Sequence, residues 1–424
     1  MNFWDFRTTL IVLNLAAVFG LLVFVAYRVL SLRRNPEKSE PENLTPFFDD
    51  DVLEGPHLER VLGVALVALV ISVVGLVAYF IWEPFRAADA TAGFKDRSIE
   101  RGAQLFAGPA SPVYDSTKSL NCARCHGDTA QGGTANQIIK SVDPRCDPQQ
   151  KVDEALAQSA PYCLPQQVAW AAPNLTLAAL RYSRAQLTQI VTYGRPGTPM
   201  PAWGVASGKG ALNQQSIQDL VNYLESIAIT PDKAQAGAAK DFQTTKTQLQ
   251  TPEVRAAADK WVADSQAGLS SAQAELAALP PDASEAQQSQ LQGVVELARE
   301  QLAIALEWQQ TTQSATDGEI LFMNNCARCH TRGWSYFDPT NPEANPAPGP
   351  MGGGAYGPNL RDDDVNMQFP SPLYDDDLFQ WISAGVPAFE SYGVRGISSG
   401  RMPHFGAVLT KDQITAIEQY ERSL

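Results

Sequence analysis

The pentapeptide Cys-Ala-Arg-Cys-His occurs twice in this chain, at residues 122–126 and 326–330, and constrains the fold more than any other feature. Two thiols spaced this way fall on adjacent turns of a short helix, with a histidine immediately after them. That is the spacing needed to join two cysteines to the vinyl groups of a haem and to bring an imidazole to its iron. Cys122, Cys125, Cys326 and Cys329 are therefore candidate attachment points for two covalently bound haem c groups, with His126 and His330 as axial ligands. A structural zinc site would need further Cys or His nearby, and the only other histidines are His57 and His404. A redox-active dithiol would leave the two histidines without a role.

The remaining cysteines, Cys146 and Cys163, lie in a Pro-rich stretch between the motifs. Haem c attachment and disulfide formation both belong outside the cytoplasm, so a bridge between these two fits the same compartment. A chain of 424 residues is too long for one compact core and predicts two or more packed units. Its net charge of −14 argues against nucleic-acid binding and suits a basic protein partner.

Residues 10–27 and 61–82 are nearly uncharged apolar runs, each close to the roughly 20 residues of a spanning helix. A signal-peptide reading of the first is disfavoured, because Arg28, Arg33 and Arg34 follow the apolar run and no small-x-small cleavage site precedes them. Those arginines and Arg60 place the 28–60 loop in the cytoplasm and both termini outside. Trp4, Tyr79, Trp82 and Phe85 stand where interfacial aromatics are expected. The reading is a two-helix anchor in the cell membrane with everything after it on the extracytoplasmic face.

Aligning the chain on its two motifs exposes an internal repeat. The first copy runs Arg101-Gly102-Ala-Gln-Leu105-Phe106, the motif, Ala172-Pro173-Asn174-Leu175, Pro199-Met200-Pro201, and a helical stretch with Tyr223. The second runs Asp317-Gly318-Glu-Ile-Leu321-Phe322, the motif, Gly357-Pro358-Asn359-Leu360, Arg401-Met402-Pro403, and a helix holding Ile417 and Tyr420. On these residues the chain resembles the class I cytochrome c family over both haem domains. The resemblance implies that Gly102 and Phe106 cross the Tyr223 helix and that Gly318 and Phe322 cross the Tyr420 helix. It implies that the carbonyls of Pro173 and Pro358 orient the proximal histidines, and that Met200 and Met402 complete the coordination of the two irons. His404 is the competing ligand in the second domain, where Met323, Met351 and Met367 are also available. The first copy departs from the family in a longer stretch before Cys122 and in an insertion holding Cys146 and Cys163, both read as surface loops.

Residues 231–315 are rich in Ala, Gln and Glu, and the Pro280-Pro281 break divides them into a helical hairpin. Asp282 with Glu285 has capping-box spacing, and Leu291, Val294, Val295, Ala298, Leu302 and Leu306 form one apolar stripe. Val254, Trp261, Leu269, Leu276 and Leu279 supply the facing one. The segment reads as a solvated spacer or as a docking element for another subunit. Arg124 and Arg328, inside the motifs, read as solvated. Trp203 and Phe405 read as packing at the haem edges, and the acidic runs 49–51 and 375–377 as solvated faces.

The expected architecture is all-α: a two-helix membrane anchor over 1–90, cytochrome c domains over 91–230 and 316–424, and a helical hairpin linker over 231–315. The arrangement is similar to the di-haem subunit of cbb-type oxidases and to actinobacterial respiratory cytochromes c. It implies single-electron relay from a cytochrome bc-type quinol-oxidising complex to a haem-copper oxidase, with no independent catalytic site. Two other readings remain: the electron-accepting subunit of a membrane dehydrogenase, and a di-haem peroxidase, which would need an iron with an open or displaceable ligand.

Overall fold

A computed structural model describes residues 54–424 other than 148, 150 and 344–347, with scattered positions between 16 and 30. It divides into two compact units, Met1–Ala88 and Asp89–Leu424. The helix α1 (Pro56–Phe106) begins in the first and ends in the second. Among the described residues one helix is long and apolar enough to cross a membrane, from Leu58, and none of its apolar window is buried against protein. A helix that is apolar all round without a protein partner suits lipid rather than water. Of the first apolar run, 10–27, the described positions 16, 19, 20, 22–24, 26 and 27 are helical, and the others lie outside the described residues, as do Trp4 and Asp49 to Asp51.

The second unit starts with the last turns of α1. Gly102 packs against the carbonyl of Asp219 and the Cβ of Tyr223 on α6 (Gln214–Ser226), so that Phe106 and Tyr223 meet with ring centroids 5.3 Å apart. The crossing is locked by Asp219, which accepts from Arg101 Nε at 2.7 Å and Arg101 Nη2 at 2.9 Å. Phe106, Val191, Leu212, Ile217, Leu220 and Leu224 form the small core beneath it. Between lie α2 (Ala123–His126), β1 (Gly133–Ile139), α3 (Glu154–Ser159), β2 (Gln166–Ala172), α4 (Ala178–Arg181) and α5 (Arg184–Tyr193), the last started by a Ser183/Gln186 capping box.

The insertion read from sequence as a surface loop is in fact an antiparallel ribbon. β1 pairs with β2 from Gly133↔Ala172 to Ile139↔Gln166, and the Cys146–Cys163 disulfide closes the segment between the strands. Alternation explains the strand: Val168 is buried and Trp170 half-buried, while the residues between them face out. The fold is therefore mostly helical with two short ribbons, not all-α.

The linker also differs from its expected form. It makes three helices, α7 (Pro231–Leu249), α8 (Pro252–Ala277) and α9 (Glu285–Ser314). The additional break falls where Thr251 caps the backbone N–H of Val254 and Pro252 occupies the first turn, a position at which its missing N–H costs nothing. The cap of α9 is Ser284 with Gln287, whose side chain accepts from Ser284 N at 3.1 Å, and not Asp282 with Glu285. The predicted stripe holds at Val294 and Val295, but further along the buried positions are Ile304, Ala305 and Trp308, and Leu306 is exposed. Trp261, Trp308 and Val254 share one core with Ile320, Leu321 and Phe322 of the second haem domain. The linker is thus built into that domain and is not a solvated spacer.

The second domain repeats the first. In α10 (Asp317–Asn325) Gly318 lies against the Ala416 carbonyl and the Cβ of Tyr420 on α14 (Lys411–Ser423), and Phe322 meets Tyr420 at 5.3 Å. The remaining elements are α11 (Ala327–His330), α12 (Asp364–Gln368), α13 (Asp375–Ala384) and the ribbon β3 (Ser391–Tyr392) with β4 (Gly396–Ile397). This ribbon packs through Tyr392, which stacks on Trp381 at 3.9 Å.

Candidate haem-attachment sites

Each Cys-Ala-Arg-Cys-His motif folds as a single helical turn. In the first, His126 N donates to Cys122 O at 3.1 Å; in the second, His330 N donates to Cys326 O at 3.1 Å. The turn presents cysteines and histidine together, and the chain returns after each site, through β2 in the first and a loop in the second, to hold the imidazole. His126 Nδ1 lies 3.1 Å from Pro173 O and His330 Nδ1 lies 3.0 Å from Pro358 O. A carbonyl can only accept, so each ring carries its proton on Nδ1 and keeps a bare Nε2 as the metal-binding atom. Burial pushes both imidazole pKa values down, against the opposing effect of the proline carbonyls, so both rings stay neutral.

Close backbone approach shapes the pockets. A Cβ on Gly133 would come within 2.6 Å of Cys125 O, and one on Gly357 within 2.5 Å of His330 Cε1. Gly357 N and Tyr356 N both donate to Cys329 O, at 2.8 and 3.0 Å. The ring of His330 therefore lies flat against a segment that only glycine can supply.

The thiols separate into two classes. Cys146 and Cys163 are bridged, whereas Cys122, Cys125, Cys326 and Cys329 are free. Burial pushes the Cys122 thiol up to about 12 and raises Cys326 and Cys329 as well. A dithiol used for redox exchange needs the opposite, a depressed pKa and ready access. Unbridged cysteine pairs, half-buried except for the buried Cys326, beside an oriented neutral imidazole fit covalent haem, which supplies an iron that takes up and gives back one electron.

Met200 is half-buried between its two prolines; its carbonyl accepts from Arg195 N at 3.1 Å and its amide donates to Thr198 Oγ1 at 3.2 Å. In the second domain Met323 and Met351 are buried in the core and Met367 is exposed, leaving Met402 half-buried at the edge of that core. The His404 ring packs against Gly385, whose added Cβ would approach its Cδ2 at 2.6 Å, and burial lowers its pKa. Phe405 is buried, and Trp203 half-buried.

The two motif arginines are not equivalent. Arg124 is exposed, but Arg328 donates to Ala171 O of the first domain at 2.6 Å, contrary to its reading as a solvated side chain. Arg181 also escaped sequence reasoning. Its guanidinium stands 5.2 Å over the Phe405 ring and donates to Asn325 Oδ1 at 3.2 Å, while its Nε is buried with no hydrogen-bond partner. Nothing in the local sequence around Arg181 marks it, because all of these partners lie more than a hundred residues away.

Comparison with family models finds two matches, cytochrome c over residues 99–228 and subunit III of cbb3-type cytochrome c oxidase over residues 313–420. Comparison with curated proteins finds no match, and comparison with solved structures finds none. Both matched segments contain one motif, the proline that meets its histidine, and the glycine–aromatic helix crossing. The chain is a class I c-type cytochrome with two haem-attachment domains in tandem.

Proposed function

We propose that this protein carries two covalently bound haem c groups and relays single electrons on the outer face of an energy-conserving membrane, from a cytochrome bc-type quinol-oxidising complex to a haem-copper oxidase. The observation that carries the reading is the repeated geometry of a neutral imidazole held by a proline carbonyl at 3.1 and 3.0 Å, in a domain whose sequence has a Met-Pro pair shortly before its last helix. Histidine with methionine would be a closed, six-coordinate pair whose soft thioether donor favours ferrous iron and leaves no free position for substrate. The chain's residues then only hold, orient and insulate. His126 with Met200 and His330 with Met402 would hold the two irons, and the rings of Trp203 and Phe405 would shield the haem edges from water. Two N-terminal spans, 10–27 and 61–82, tether the haem domains so that encounter with a membrane partner becomes effectively intramolecular.

Intact mass tests the cofactor count and the anchor together. The mature protein should weigh two haems more than its polypeptide and should retain the residues before 30; one haem, or a start after residue 30, overturns the reading. Ligation is tested by spectroscopy. Wild-type ferric protein should be low-spin at both irons, and Met402→Ala should open one haem to carbon monoxide and lower its potential. His404→Ala should leave both haems nearly unchanged. The reverse pattern moves the ligand to His404, and a wild type already high-spin and fast with peroxide replaces relay by peroxidase chemistry.

A further inference from the structure

The two motifs have one sequence but different surroundings. In the first, Arg124 is exposed and Cys122, Cys125 and His126 are half-buried. In the second, Cys326 and His330 are buried, Cys326 in a core of linker and second-domain residues. Three separate contacts bring the first domain against the surface of this site. Arg328, between the two attachment cysteines, is tied to Ala171 O at 2.6 Å. Tyr356, whose amide bonds Cys329 O, sends its hydroxyl to Gly197 O at 2.9 Å and its ring to within 6.3 Å of Trp170. On the far side the carbonyl of Arg181 accepts from His404 N at 2.8 Å, and its side chain spans Phe405 and Asn325.

The same contacts bring the two sites into connection. His126 Nδ1 bonds Pro173 O at 3.1 Å, and Ala171, two residues back along the chain, bonds Arg328 of the second motif. Two hydrogen bonds and a short run of backbone thus join the proximal histidine of one site to the attachment peptide of the other.

Building on the relay reading, we infer that the second haem exchanges electrons through the first, whose own attachment face is the open port of the molecule. In each exchange the first site loses one electron and is oxidised while the second gains it and is reduced. No bond forms or breaks, and no proton moves. The electron donor therefore docks on the first domain, around Arg124, and the second haem is filled from the first.

The test uses the full-length holoprotein in detergent and ascorbate as reductant. Met200→His replaces a thioether by a nitrogen ligand and lowers the first haem's potential beyond the reach of ascorbate, so an electron bound for the second haem meets an uphill intermediate. Each 59 mV of that step costs about a factor of ten, so ascorbate should reduce the second haem at least about tenfold more slowly than in wild type. The mirror variant Met402→His should leave the first haem's rate unchanged. Reduction of the second haem at the wild-type rate in Met200→His overturns the inference. A measurement on unaltered protein guards against a variant that fails to assemble. A soluble gadolinium chelate should broaden the thioether-methyl resonances of the first ferrous haem and spare those of the second, and equal broadening overturns the inference. The relay reading fails separately, by an unaltered protein with a high-spin iron.

Discussion

Gly318 illustrates how far a single side chain is specified by the crossing it serves. An alanine there would drive its Cβ into the Ala416 carbonyl and to 3.0 Å from the Cβ of Tyr420, both on the last helix. Forcing that helix outward should cost roughly 1–3 kcal/mol and lower the melting temperature of the holoprotein. Gly237, on α7, has nothing within 4 Å of an added Cβ. Gly237→Ala should instead be neutral or stabilising by up to about 1 kcal/mol, through helix propensity alone. If calorimetry finds the two substitutions equal, close packing is not what Gly318 provides.

Two carboxylates of the haem domains act on stability in opposite directions with pH. Burial opposes ionisation of Asp219, but the hydrogen bonds from Arg101, Ser98 and Gln215 outweigh it and hold its pKa below the ordinary value. Its contribution is therefore present above the unfolded carboxylate pKa and is lost as pH falls through the lower folded value. Glu421 is buried on α14, and desolvation, reinforced by Glu418, pushes it up to about 8. The unfolded chain then releases that proton first, so stability falls as pH rises from the ordinary carboxylate value to about 8 and levels off above it. Glu421→Gln should flatten this alkaline decline in melting temperature while leaving the acid limb intact. A decline that persists unchanged in Glu421→Gln would assign it to another group.

Elements carry the next level of consequence. The Cys146–Cys163 bridge joins positions 17 apart, and restricting a loop of that length in the unfolded chain is worth about 3 kcal/mol. Between them the ribbon and its loop reach the linker: a Cβ on Gly293 of α9 would come within 3.2 Å of Pro144, and Arg145 lies 3.9 Å from Glu275 of α8. Replacing both cysteines by serine should therefore lower the stability of the first domain without preventing haem attachment at Cys122 and Cys125. Loss of the first haem in that variant would show that the bridge is needed for maturation. At the other end of the linker, Trp308 packs edge-on against Phe337 at 4.8 Å and Trp334 at 6.1 Å. Trp308→Ala should cost about 3–5 kcal/mol and melt linker and second domain as one transition. Two separated transitions would mean that the linker folds on its own.

At the scale of the whole molecule, a net charge of −14 makes encounter with a basic redox protein an electrostatically steered event. The second-order rate constant with such a partner should fall steeply as ionic strength rises toward about 0.15 M, where the screening length is roughly 8 Å. A rate indifferent to salt would mean that the acidic surface is not the docking surface. The cytochrome c domains, their repetition and the helix crossings were all legible before any coordinates, because each depends on residues in a fixed pattern: the Cys-x-x-Cys-His turns, the prolines that return to them, and the glycine four residues before an aromatic. The linker break at Pro252 is less conspicuous in the sequence than Pro280-Pro281, and the cap falls at Ser284 and not at Asp282, because caps depend on which side-chain oxygen reaches which N–H. The asymmetry between the two haem sites had no sequence signature at all. Identical pentapeptides end as an exposed Arg124 and an Arg328 held by Ala171, since the difference arises from contacts 157 residues apart that exist only after both domains have folded against each other. Local spacing determined the two candidate haem-attachment motifs, and tertiary packing alone decided how differently the two are surrounded.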